Sequence, residues 1–138
     1  GCALTADMIT GFPGETEADQ AAAVAFLEQV GFAAVHVFPY SRRPGTKADA
    51  MPEQLSHAVK SARAHEAQRV ADACKQRYLV QQVGQTLPVL FETEHDGSWV
   101  GHSDNYCLVR AAGDDLRGLV KNVKISAVSG QMLVGDLV

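Results

Sequence analysis

The stretch Thr5-Ala6-Asp7-Met8-Ile9-Thr10-Gly11-Phe12-Pro13-Gly14-Glu15-Thr16 decides how the fold is read. Its first half is apolar enough for a buried strand. Its second half is a glycine-rich turn leading into a helix start. One helix length later comes a second apolar run, Val35-His36-Val37-Phe38-Pro39-Tyr40-Ser41. Parallel strands need a crossover between them, so two strands joined by one helix make a βαβ unit. In such units the loops after the C-terminal strand ends hold the ligand. The sequence thus opens inside a ligand-binding sheet, with no room ahead of it for the sheet's other strands. With no initiating Met, a piece of a longer protein is expected.

Outward from that stretch the punctuation is regular. Thr16 and Asp19 have capping-box spacing, predicting a helix over 17–30 with Thr16 as N-cap. Gly31 then ends it as a left-handed C-cap. The strand over 34–40 carries large apolar groups at odd and even positions, the pattern of a strand buried on both faces. Ser41 to Thr46 is a polar loop turning at Pro44-Gly45. A long helix with a loose apolar stripe follows, starting at Pro52 or Ser56 and ending near Val80. From Val83 the texture changes to short alternating runs, with turn signals at Asp96-Gly97 and Ser129-Gly130. Five short strands here predict a small antiparallel OB-like barrel. The expected fold class is α/β plus small all-β, divided as residues 1–51, 52–82 and 83–138.

Bulk composition bounds the partners. The chain has 138 residues, 46% hydrophobic and 20% charged, with a net charge of -4. That suits one ordinary domain or two small ones and argues against disorder. Only residues 52–80 hold more bases than acids, so charge alone does not advertise nucleic acid. No apolar run approaches the ~18 residues that span a membrane. No signal peptide is read, so a reducing, cytoplasmic setting is expected. Cys2, Cys74 and Cys107 are odd in number and widely spaced, against both a disulfide framework and a metal knuckle. The five histidines do not cluster at metal-ligand spacing, and no metal ligand is assigned.

At two blocks the sequence resembles a known family. Asp7 to Thr16, with His36-Val37-Phe38-Pro39-Tyr40-Ser41-Arg42-Arg43-Pro44-Gly45-Thr46-Lys47-Ala48, is similar to the C-terminal part of the radical-SAM methylthiotransferases. The run after residue 82 looks like their TRAM domain, an RNA-binding module. The His-Val-Phe-Pro-Tyr-Ser wording is closest to the subfamily that thiomethylates threonylcarbamoyladenosine in tRNA. The resemblance implies a barrel's last βα units, a connecting helix and a TRAM barrel. It also implies S-adenosylmethionine as cofactor and tRNA as partner. The family's Cys-x-x-x-Cys-x-x-Cys loop and the three further cysteines for a second cluster are missing here. Two 4Fe-4S clusters are therefore expected in the parent, with ligands outside this chain and no catalytic residue within it.

Candidate residues follow from both readings. Gly11 and Gly14 allow turns a side chain would forbid and close approach of a flat ligand, and Pro13 stiffens the turn. Packing alone is the alternative for the two glycines. Ile9 lies one pleat before Gly11. The resemblance implies adenine contact by Ile9 and by the strand holding Phe38 and Tyr40, where core packing is the alternative for Phe38. Asp7 either faces substrate or pairs with His36 or Arg43. Glu15 reads as charge stabilisation of a helix N-terminus. Arg43 either clamps a carboxylate or phosphate with its planar fork or fixes its loop by a salt bridge. In the barrel, Trp99, Tyr106, Arg110, Lys121 and Lys124 are candidates to stack on or pair with RNA. Trp99 could equally be core, and the lysines a solvated face.

The expected function is the C-terminal part of an enzyme that adds a methylthio group to carbon 2 of N6-threonylcarbamoyladenosine beside the anticodon. The alternatives are a non-catalytic RNA-binding module with a βα extension, or a thiomethylase of isopentenyladenosine or a ribosomal protein. An open sheet edge also predicts self-association.

Overall fold

The computed structural model describes residues 2–138. In chain order it contains β1 (Thr5–Thr10), α1 (Glu17–Val30), β2 (Ala34–Pro39), a 3₁₀ turn (Ala48–Ala50) and α2 (His57–Gln82). Then come β3 (Thr86–His95), β4 (Ser98–Ser103), β5 (Leu108–Ala112), β6 (Val120–Ser129) and β7 (Met132–Leu137). The chain divides into two compact units, Leu4–Lys75, and Gln76–Val138 with residues 2–3. Helix α2 supplies residues to both.

In the first unit β1 and β2 pair in parallel, from Thr5 opposite Ala34 to Thr10 opposite Pro39. The crossover helix is capped as its sequence demands. Thr16 Oγ1 accepts the Asp19 N–H at 3.1 Å, and the Asp19 carboxylate accepts the Thr16 N–H at 2.9 Å. Gly31 takes φ 69 and donates its N–H to the Leu27 carbonyl at 3.0 Å. Leu27 of α1 and Ala67 and Ala71 of α2 pack with Val35, and Ala6, Met8 and Val37 join them. Both helices therefore cover one sheet face. The other face, with Asp7, Ile9, His36 and Phe38, is exposed. The expectation that β2 is buried on both faces is corrected here: its even positions pack against neither helix.

In the second unit five strands form a closed barrel in the order β3-β4-β5-β7-β6, with β3 pairing β6 to close it. The expected antiparallel barrel is corrected to a mixed one, because β5 and β7 run parallel through Val109–Leu133 and Arg110–Val134. A ring with an odd number of strands cannot alternate direction throughout, so closing five strands forces one parallel pair. Phe91, Leu79, Ile125, Leu133, Val89 and Val109 fill the core. Register shifts at Phe91/Thr93 and Ile125/Ala127 mark bulges that bend β3 and β6. Gly101 and Gly135 lie at these bends. A Cβ at either would strike the backbone of the neighbouring strand, at Leu90 and Lys124 respectively.

Helix α2 starts as expected, with Ser56 Oγ accepting the Val59 N–H at 3.3 Å, and runs two residues past Val80 to Gln82. No helix among the described residues is long and apolar enough to cross a membrane.

Candidate ligand site

The exposed face of β1 and β2 ends in a pocket of about 490 Å³ at the strands' C-terminal ends. Ile9, Phe38, Tyr40, Arg43, Thr46 and Ala48 line it. Ile9 and Phe38 sit opposite each other in register and are 56% and 48% exposed, so two large apolar side chains face open space. His36 stacks on Phe38 at 6.2 Å with the rings 10° from parallel. Ile9 and Phe38 give the pocket an apolar wall, and His36 backs the Phe38 ring.

The loop after β2 brings in polarity. Arg42 donates to the Asp49 carboxylate at 2.7 Å and to the Asp49 carbonyl at 2.9 Å. Thr46 anchors the Arg43 carbonyl through its hydroxyl at 2.8 Å. Arg42 is thus the arginine that ties the loop. The Arg43 guanidinium has no ion-pair partner among the described residues and lines the pocket. Tyr40 is braced by an edge-to-face contact with Phe12 at 5.3 Å and by the Lys60 ammonium, 5.6 Å from its ring centre. Its hydroxyl is buried with no hydrogen-bond partner among the described residues. A buried hydroxyl normally bonds a partner, and no described residue supplies one here.

The turn after β1 is arranged differently. Gly11 takes φ +70, and a Cβ there would strike the Lys60 side chain. At Gly11 the side on which a Cβ would stand is therefore occupied by Lys60 of α2. Pro13 is buried, and the Gly14 N–H donates to the Glu53 carbonyl at 3.1 Å. Both Glu15 carboxylate oxygens accept the Gly11 N–H at 3.0 Å, and Arg63 Nη1 donates to Glu15 at 2.7 Å. Gln20 Nε2 then reaches the Arg63 carbonyl and Glu66. This network packs the turn, and the sequence reading did not contain it. Its only hint was the excess of bases in 52–80. Asp7 is exposed opposite His36, and no ion pair joins them.

The barrel separates its candidates. Trp99 is 5% exposed and belongs to the core cluster, so its ring cannot stack on a base without leaving the core. Arg110, Lys121 and Lys124 are exposed on β5 and β6, and Lys124 Nζ donates to the Gly84 carbonyl. Tyr106 is exposed as well, at 84%.

No family model matches the chain. The chain is 37% identical over 91% of its length to the threonylcarbamoyladenosine tRNA methylthiotransferase MtaB of Bacillus subtilis. It is 40% identical over 98% of its length to a tRNA-2-methylthio-N(6)-dimethylallyladenosine synthase of Maricaulis maris, and 36% over 96% to one of Nitratidesulfovibrio vulgaris. Over nearly its whole length the chain is similar to tRNA methylthiotransferases. It spans about 30% of the length of these relatives.

The family implies S-adenosylmethionine and iron–sulfur clusters, and the residues fit the two differently. The β1/β2 pocket suits a purine ring and a carboxylate. The cysteines of this chain do not suit a cluster. Cys74 and Cys107 are buried in different units, Cys2 is exposed, and no group of three or more metal-ligating side chains forms among the described residues.

Proposed function

We propose that this chain is the C-terminal part of a radical tRNA methylthiotransferase acting in the cytoplasm. Residues 1–51 belong to the cofactor barrel, 52–82 to a connecting helix and 83–138 to an OB-like TRAM barrel that engages tRNA. The closed order β3-β4-β5-β7-β6 with its single parallel pair supports the OB-like reading. The observation that carries the proposal is the pocket at the C-terminal ends of two parallel strands, where Ile9, Phe38, Tyr40 and Arg43 meet.

Ile9 and Phe38 supply apolar walls against an adenine ring, and the Tyr40 hydroxyl finds its acceptor on the ligand. When bound, S-adenosylmethionine supplies the radical and the methyl group. Arg43 presents a planar fork to a carboxylate. We assign that carboxylate to the threonylcarbamoyl group, which a dimethylallyl group lacks, rather than to S-adenosylmethionine, and on that assignment Arg43 favours threonylcarbamoyladenosine as substrate. Modification of dimethylallyladenosine is the second reading, because relatives of similar identity carry that name. The exposed apolar sheet face also favours self-association of the isolated chain.

The test is a titration of the isotope-labelled chain with S-adenosylmethionine, read by NMR. Saturable shifts are expected at Ile9, Phe38 and Tyr40, with affinity falling about tenfold in Phe38→Ala, equivalent to about 1.4 kcal/mol. Shifts elsewhere, or none at millimolar ligand, would remove the pocket from the cofactor site.

A further inference from the structure

Tyr106 sits in the β4–β5 loop with φ +61. A bulky residue at positive φ is a backbone outlier, and such strain persists only where surroundings over-determine it. Those surroundings are visible. Ser103 Oγ donates to Asn105 Oδ1 at 2.6 Å. Asn105 Nδ2 donates to the Tyr78 hydroxyl at 3.1 Å and to Gln82 Oε1 at 3.0 Å. The Tyr106 N–H donates to the Ser103 carbonyl at 3.0 Å, and the Cys107 N–H to Ser103 Oγ at 3.0 Å. Four side chains thus hold a loop that projects an aromatic ring, 84% exposed, next to the exposed Asp104.

That ring borders a groove of about 550 Å³ on the outer barrel surface. Pro88, Leu90 and Val120 form its apolar wall, and Leu90 and Val120 are themselves exposed. Glu92 and Asp104 line the groove as well, with His102 bonded to Glu92 at 2.7 Å. The volume suits one small planar group rather than a helix or strand. The carboxylates repel phosphate and accept hydrogen bonds from exocyclic amino groups.

We propose that Tyr106 is a stacking platform for a single unpaired nucleobase of the RNA substrate, with Leu90 and Val120 beside it and the backbone phosphates kept outside the acidic rim. This rests on the tRNA reading given above. The backbone strain makes it testable without loss of fold. Glycine is comfortable at positive φ, so Tyr106→Gly removes the ring while relieving the backbone.

The experiment titrates the whole chain with a short unstructured RNA oligomer carrying 2-aminopurine, whose fluorescence falls on stacking. The expected result has three parts. Tyr106→Gly leaves the unfolding midpoint equal or higher, it weakens binding at least fivefold or so with loss of quenching, and Tyr106→Phe retains both. Equal affinity and quenching in Tyr106→Gly would overturn the platform while leaving RNA binding by the barrel intact, and would turn the groove toward a protein partner. Absence of any RNA binding by the unaltered chain would overturn both the platform and the tRNA reading.

Discussion

Arg63 of α2 and Glu15 of the β1–α1 turn meet at 2.7 Å, their side chains only 12% and 14% exposed. The same carboxylate receives the Gly11 N–H, so one ion pair fixes where the glycine turn lies on the helix. Removing one partner leaves the other charge partly buried and unpaired, which is the costly case. Arg63→Leu is expected to lose about 3 kcal/mol in urea unfolding. Glu15→Gln keeps an acceptor for the N–H and should lose only about 1–2 kcal/mol. Losses within error of zero for both would show that the pair is not structural.

Gly11 and Lys60 form a second tie. Gly11→Ala combines a positive φ with a clash against the Lys60 stem. It is expected to cost about 2–3 kcal/mol. Lys60→Ala alone should cost less than about 1 kcal/mol, since the residue is only partly buried. The double variant removes the closest contact, with Lys60 Cγ, and should recover part of the steric cost while keeping roughly 1 kcal/mol for the backbone. Strict additivity in this cycle would mean that the two residues do not touch.

The α1 cap gives a pH dependence. Hydrogen bonds from the Thr16 backbone and side chain hold the Asp19 carboxyl below its ordinary value of 3.8. A carboxyl lowered in the folded state stabilises the fold above its unfolded value, and that contribution is lost as pH falls through the folded one. Wild type should therefore be more stable than Asp19→Asn at neutral pH. The gap should close below pH 3.8 and not above it. A gap independent of pH, measured by thermal unfolding from acid to neutral, would show that the ionised cap is not its source.

Trp99 separates packing from recognition. Buried in the barrel core, it should cost roughly 3–5 kcal/mol as Trp99→Ala. Trp99→Phe, which keeps the fold, should leave RNA affinity unchanged. A fall in affinity with the conservative change would place the indole at the RNA surface instead.

Local signals were the most legible part of this sequence. The Thr16–Asp19 box, Gly31 and the Asp96-Gly97 turn act through neighbours in the chain, and each appears where its spacing implies. The pocket residues Ile9, Phe38, Tyr40 and Arg43 were also nameable, because strand ends in a βαβ unit are short-range features. Long-range partners were not. Arg63 lies 48 residues from Glu15, and nothing in either segment names the other. Lys60 likewise fills the space at Gly11 from another element. Trp99 stayed ambiguous because the bulge at Phe91/Thr93 breaks the simple alternation, so Trp99, Val100 and Gly101 are buried in succession. The parallel β5–β7 pair follows from ring closure, which a one-dimensional pattern does not display.

The most direct test of the central claim is nucleoside mass spectrometry of tRNA from cells lacking the gene that encodes this chain and from cells with it restored. The account predicts that 2-methylthio-N6-threonylcarbamoyladenosine disappears on deletion and returns on restoration, and that restoration with Arg43→Ala recovers little of it. Loss of the dimethylallyl-type 2-methylthio nucleoside instead would move the substrate to the second reading. Unchanged 2-methylthio nucleosides of both kinds would contradict the account.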